Sequence, residues 1–371
     1  MNKSAFTAAV LAAGAGAASA QTGVSLFGLV DAYVESARIA GQPTVNRVSS
    51  GGSAASRWGL RGGEDLGGGL SAHFVIENGF APDTGAALQG GRLFGRQAWV
   101  GLASATAGEI RLGRQYAPIH YSMQGSDIDA FSAFSPVFAM YLSNGEQSRQ
   151  DNQVSWWTPK LAGFSGAVSV AAGENAAVAP GPTTGWIPAT GTARRSLGAL
   201  LRWQSGNLDA SAAFHRGGQA LAAGEAEQQA FNLGAIWRAG SVQVGGNYWL
   251  HRNELPSAAT ARTQGFALGV RVPVAGALSL VAQVAQVRDN GHAYATGAVK
   301  AEGRTNHLNV GASYALSRRT ELYLRHARVQ DRSGGYNGRA NAALLGALGA
   351  NSALPPDGSA RTLGVGLRHS F

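Results

Sequence analysis

The chain ends on Leu363-Gly364-Val365-Gly366-Leu367-Arg368-His369-Ser370-Phe371, with Leu363, Val365, Leu367, His369 and Phe371 on alternate positions. A strand of period two presents one face to lipid and one to water. A terminal phenylalanine then sets an aromatic ring at the membrane interface. Phe371 and His369 therefore read as the closing signature of an outer-membrane β-barrel, to be tested against the rest of the chain.

The opposite end agrees. Met1-Asn2-Lys3 is a short basic start, Ala5 to Ala15 an apolar run, and Ala18-Ser19-Ala20 a small-residue cleavage site. Residues 1–20 are expected to be a secretory signal peptide, because the apolar run is too short for a bilayer that needs about 20 residues. The expected mature domain is 21–371. Beyond the leader no stretch is apolar enough for a spanning helix, and the uncharged segment from Asn341 to Pro356 reads as loop. The absence of cysteine removes disulfides, thiol catalysis and thiolate metal sites. The full chain carries +9, or about +8 once Lys3 leaves with the leader, and the surplus is arginine: Lys3, Lys160 and Lys300 are the only lysines. Basic runs no longer than Arg194-Arg195 and Arg318-Arg319 argue against nucleic acid as a partner.

Segments of period-two alternation, mostly about 9 to 12 residues long, follow one another along the mature chain. They lie near 24–35, 57–63, 70–78, 94–102, 109–116, 152–158, 164–172, 195–204, 208–216, 228–238, 241–252, 263–272, 277–288, 305–316, 320–330 and 361–371. Short turns and long loops separate them alternately. The pattern predicts an all-β fold, a 16-stranded antiparallel transmembrane barrel with both termini at the short-turn end. Phe231, Leu233, Ala235 and Trp237 would face lipid, and Asn232, Gly234 and Arg238 the interior. A soluble sandwich would bury the same apolar face against a second sheet. Long strands, strict turn and loop alternation, and aromatics at strand ends favour the barrel.

Several motifs resemble the trimeric Gram-negative general porins of the β-proteobacterial type, over essentially the whole mature chain. They are Val24 to Ala32, the block Ser56 to Leu70 around Arg57-Trp58-Gly59-Leu60-Arg61, the run Ile110-Arg111-Leu112-Gly113-Arg114-Gln115, the stretch Arg149 to Phe164, and Gly366 to Phe371. The resemblance implies a homotrimer of barrels in the outer membrane, each with a third long loop, here 117–150, folded inward to narrow the pore. It places wall arginines of that constriction at Arg57, Arg114 and Arg149. Strand parity sets Arg114 on the face of Ile110 and Leu112, so either a bulge re-aims it or Arg111 is the inward residue. The acids facing these arginines would come from Asp127, Asp129 and Glu146. The chain departs from enterobacterial relatives in having Pro136-Val137-Phe138-Ala139-Met140 where they carry a carboxylate, and Leu29 near a place where family members often carry lysine.

An arginine-lined constriction concentrates anions and repels cations, and guanidinium stays charged at any accessible pH. The expected function is therefore a water-filled channel for passive diffusion of small hydrophilic solutes, anionic and neutral, with anion preference and no cofactor or metal. Arg61, Arg111, Arg202, Arg271 and Arg325 are candidates for a basic ladder along the lumen. Two alternatives are a plugged barrel acting as an adhesin through its loops and a rim-active outer-membrane enzyme. None of the eight histidines has metal-ligand spacing, and no Gly-x-Ser-x-Gly or His-Glu-x-x-His motif occurs.

Overall fold

The computed structural model describes residues 23–142, 148–173, 192–221, 224–256, 259–292, 302–331 and 358–371. The strands of the first half are β1 (Gly23–Ile39), β2 (Val45–Ser50), β3 (Arg57–Gly67), β4 (Leu70–Gly79), β5 (Gln97–Ser104), β6 (Gly108–Tyr116), β7 (Arg149–Trp157) and β8 (Phe164–Ala171). Those of the second half are β9 (Thr192–Ser205), β10 (Leu208–Leu221), β11 (Gly224–Ala239), β12 (Val242–Glu254), β13 (Ala261–Ala275), β14 (Leu278–Asp289), β15 (Arg304–Ala315), β16 (Thr320–Asp331) and β17 (Ser359–Ser370). Each pairs antiparallel with its neighbours, and β17 returns to β1 with Val30 opposite His369, so the sheet closes. Closure leaves no edge strand, which lets a sheet sit in lipid with every backbone group paired.

Sixteen strands make the wall. β2 pairs with Ala32 to Ala37 of β1 while β3 pairs with Gly23 to Leu29, so β2 and β3 follow one track, interrupted by Gly51 to Ser56. Alternation alone predicts no strand between 24–35 and 57–63, so β2 is an addition to the expected pattern. The interruption is held by Asp31, which accepts hydrogen bonds from the backbone amides of Gly52, Ser53 and Ala54 and from the Tyr323 hydroxyl.

The faces alternate as the sequence predicts. Leu26, Val34, Leu233, Trp237, Leu268 and Val365 are exposed on the outside. Asn232 and Asn309 on the other face are fully buried. Several strands run past their predicted ends at the long-loop rim, as β10 does to Leu221 and β13 back to Ala261. There the ladder pairing continues past the clear alternation, as Gln219 to Leu221 still pair with Gly224 to Ala226.

Between β6 and β7 lie two helices, α1 (Pro118–Ser126) and α2 (Pro136–Leu142). Proline opens each, where its missing N–H is no loss. The segment lies against the polar face of the wall. The Asn232 amide donates to Ser122 Oγ at 2.8 Å, Ser126 Oγ to Asn247 Oδ1 at 2.7 Å, and Asn247 Nδ2 to the Ser126 carbonyl at 3.0 Å. Glycines under the segment permit this approach. A Cβ at Gly198 would fall 2.7 Å from Pro118 Cδ, at Gly269 2.5 Å from Ile128 Cγ2, and at Gly364 2.6 Å from Phe134 Cζ.

Candidate functional site

Tyr116, the last residue of β6, is buried and gathers cations around its ring. The Arg149 guanidinium sits 4.5 Å from the ring centroid and donates to the Tyr116 hydroxyl at 2.9 Å. Arg96 lies over the same ring at 5.9 Å, and the His120 imidazole stacks on it at 3.8 Å between centroids. Arg96 is ion-paired with Glu77, whose carboxylate also accepts from Gln97 and lies 3.9 Å from Arg57 Nε. Arg57 and Arg96 thus meet one carboxylate, and Arg149 joins them through the Tyr116 ring. Burial, followed by the fields of Arg149, Arg96 and Arg57, holds the His120 imidazole well below its ordinary range, so it is neutral; it shares a hydrogen bond with the Tyr141 hydroxyl.

Arg114 belongs to a neighbouring cluster. The β6 and β7 ladder slips between Gly113 and Gln115, where Gly113 has φ +128°, a value only glycine takes without strain. The bulge carries the Arg114 guanidinium to Asp151 and to the Gly95 carbonyl, the latter at 2.7 Å, and Arg92 holds the other Asp151 oxygen at 2.6 Å. Both branches of the parity question are realised. Arg111 faces away from the exposed Ile110 and Leu112, packs over Trp99 and Trp157 at 4.4 and 4.8 Å, and pairs with Glu109.

The acids of the 117–150 segment turn to a different part of the wall. Asp129, almost fully buried, accepts from Arg325 Nη2 at 2.8 Å, Arg271 Nη2 at 3.1 Å, Asn309 Nδ2 at 2.9 Å and Ser132 Oγ at 2.6 Å. Burial works against its ionisation, but Arg325, Ser132 and Arg271 together outweigh burial and keep the carboxyl below its ordinary range. Asp127 accepts from Gln283 at 2.6 Å, Ser135 Oγ at 2.7 Å and the Phe131 amide at 2.8 Å. Burial, with Asp129 nearby, nevertheless pushes its carboxyl up to about 6. Glu146 lies outside the described residues.

Of the expected ladder, Arg271 and Arg325 are engaged with Asp129, and Arg202 pairs with Asp209. Arg61 is exposed over Phe27 at 5.4 Å. Phe371 closes the seam: its amide donates to the Gly28 carbonyl at 3.0 Å and its carbonyl accepts from Gly28 N at 3.2 Å. His369 Nδ1 shares a hydrogen bond with Thr320 Oγ1. Sequence reading missed Arg96, Glu77, Tyr116 and Asp151. Glu77 had a legible signal, since it lies on the hairpin strand next to Arg57. Arg96 fell inside the expected strand 94–102 and read as an ordinary wall residue; β5 begins only at Gln97, and the connection before it brings Arg96 to Glu77.

A family model described as Gram-negative porin matches residues 7–334. Outer membrane porin protein 32 of Delftia acidovorans is 29% identical over 381 aligned residues spanning all of both chains. An outer membrane porin protein of Bordetella pertussis is 28% identical over 419, again spanning all of both. Among solved structures, the anion-selective porin from Comamonas acidovorans superposes with a TM-score of 0.79 at 24% identity, covering 94% of this chain and 100% of that one. The trimer form of OmpT from Vibrio cholerae gives 0.64 at 15% identity, over 94% and 99%. At these identities the structural likenesses speak for the fold.

Proposed function

We propose that this chain, which belongs to the Gram-negative porin family and forms a diffusion channel in the outer membrane, prefers anions because Arg57, Arg96 and Arg149 converge at its narrowest point. It is a channel rather than an enzyme, as its family is. The observation that carries the preference is the charge balance around Tyr116, three guanidinium groups against Glu77. Asp127 and Asp129 do not offset it, because they are committed to Gln283, Arg271 and Arg325 on another part of the wall. Arg114 adds a further cation beside Asp151 and Arg92. In this reading segment 117–150 narrows the pore, residues 1–20 are the leader removed on export, and three copies assemble, as the trimer form of the Vibrio protein does. Small anionic and neutral hydrophilic solutes pass by brief contacts, since binding must be weak enough to release them.

The test is the zero-current potential across a potassium chloride gradient in a planar bilayer, for the refolded chain and for Arg57→Ala, Arg149→Ala and their combination. A unit charge about 8 Å from the ion path through water contributes about 0.5 kcal/mol, roughly twofold in permeability ratio. The double variant should then lose about fivefold of its chloride preference. A cation-selective wild-type channel, or a potential unmoved in the double variant, would overturn the reading.

A further inference from the structure

Gly51 to Ser56 stand opposite only Val30 and Asp31 of β1, because β3 pairs up to Arg57 with Leu29 and β2 pairs from Ser50 with Ala32. Closing the barrel does not require these extra residues. Five of the six bind Asp31. The Gly51 amide donates to the Asp31 carbonyl at 2.9 Å. Those of Gly52, Ser53 and Ala54 donate to its carboxylate at 3.0, 2.9 and 2.8 Å. Ser56 Oγ accepts from the Asp31 amide at 2.9 Å and donates to its carbonyl at 3.2 Å. The Tyr323 hydroxyl completes the set on Oδ1. These four partners of the carboxylate are all donors, so the fully buried group is held as an ion and compensated.

Arg57 follows directly on this excursion. Its Nη1 donates to the Ala55 carbonyl at 3.2 Å, while Glu77 on its other side lies 3.9 Å from Nε, beyond hydrogen-bond reach. The side chain is long and 29% exposed, so without that brace it would spread over several rotamers. The excursion is itself fixed in place. Gly52 packs so closely on the inner face of β1 that a Cβ there would fall 2.8 Å from Tyr33 Cδ1, and its carbonyl accepts from the Ala133 amide of the inward segment at 2.9 Å. The aim of Arg57 is thus set by a stretch of chain whose position is set by Asp31.

We propose that Asp31 is a positioning residue for ion selectivity: by gathering residues 51–56 it aims the Arg57 guanidinium at the ion path. The inference rests on the anion preference assigned above to Arg57, Arg96 and Arg149. A fixed guanidinium keeps its positive potential where the permeating ion passes, whereas a mobile one spreads it through the solvent. Asp31 acts on passing anions through Arg57 and touches none of them. Its contribution therefore has the sign opposite to its own charge: a carboxylate near the pore that supports the passage of anions.

The test is a double-mutant cycle on the zero-current potential in a potassium chloride gradient, with the wild type, Asp31→Asn, Arg57→Ala and the double variant. Asparagine keeps one acceptor oxygen and turns an amide toward amide donors, so the excursion loosens. Loss of the Asp31 charge acts alike in both backgrounds and cancels in the comparison, whereas positioning acts only where Arg57 is present. Taking release of Arg57 as equal to its removal, Asp31→Asn should change chloride preference about twofold less favourably in the wild-type background than in Arg57→Ala. Ser56→Ala alters no charge; it should lower chloride preference in the wild-type background and leave that of Arg57→Ala where it is. Equal effects of Asp31→Asn in the two backgrounds would overturn the positioning role, while a chloride-selective wild type would keep the reading of the pore. A wild type without chloride preference overturns both. Should Asp31→Asn form no barrel, Ser56→Ala decides alone, and a potential equal to that of the wild type then refutes the role.

Discussion

Replacing Asp129 by asparagine should release the 117–142 segment while leaving the barrel standing. The carboxylate holds two oxygens among Arg325, Arg271, Asn309 and Ser132, and both it and Arg325 are about 1% exposed. Removing one partner of a buried pair costs about 3–5 kcal/mol, because the other charge stays buried and uncompensated. Arg325 keeps bonds to the Ala312 and Leu324 carbonyls and to Ser313 Oγ, which puts the loss near the lower end, about 3 kcal/mol. Arg271 is partly exposed and regains water, adding little. Chymotrypsin is the assay, since the segment offers Phe131, Phe134, Phe138 and Tyr141. When opening is fast relative to cleavage, the rate follows the open population, so about 3 kcal/mol predicts cleavage faster by roughly a hundredfold. The unfolding temperature of the barrel should barely move, and Asp129→Asn/Arg325→Gln should recover part of the protection. Equal cleavage rates in wild type and Asp129→Asn would refute the anchoring role.

Gly234→Leu should displace α1, because a side chain there meets Ser126, and raise single-channel conductance with little change in barrel unfolding temperature; unchanged conductance would count against the seat. Arg96→Ala removes the closest partner of Glu77 and should lower chloride preference by at least the roughly twofold expected for Arg57→Ala; a smaller effect on the zero-current potential would separate Arg96 from the pore. Asp127 has its carboxyl raised from 3.8 to about 6, so the folded segment favours its protonated form. That contribution, about 3 kcal/mol for a shift of about two units, is complete below pH about 3.8 and lost as pH rises through about 6. Amide exchange over 118–142, corrected for intrinsic rates, should therefore lose protection across that window, and constant protection would refute it.

The wall was legible because period-two alternation is a local property: each strand declares its faces within ten residues, and closure follows from their even number. Gly113 shows how a departure can also be read. Its neighbours Ile110, Leu112 and Arg114 cannot share a lipid face, and that conflict pointed to the bulge. β2 escaped notice because Val45 to Ser50 is only six residues long and carries too little alternation to declare a strand of its own. The wall partners of Asp127 and Asp129 lie 142 to 196 residues away in the chain, a contact that no local pattern encodes. The arginines at Arg57, Arg114 and Arg149 were found through motif likeness, whereas Arg96 joins them only through the path of the 79–96 connection.

The seat beneath the inward segment has a consequence for the order of assembly. Ala133 N reaches back to the Gly52 carbonyl, while Phe134 packs at 5.5 Å against Tyr33 and lies over Gly364 of the last strand. Residues from both extremities of the chain must therefore be in place before the middle can settle. A nascent barrel that has not received its final strand has no floor for Phe134, so under the proposed constriction role it should stay wide until that strand is in place. Bore is then an internal record of completion, and a truncated copy should betray itself by leaking.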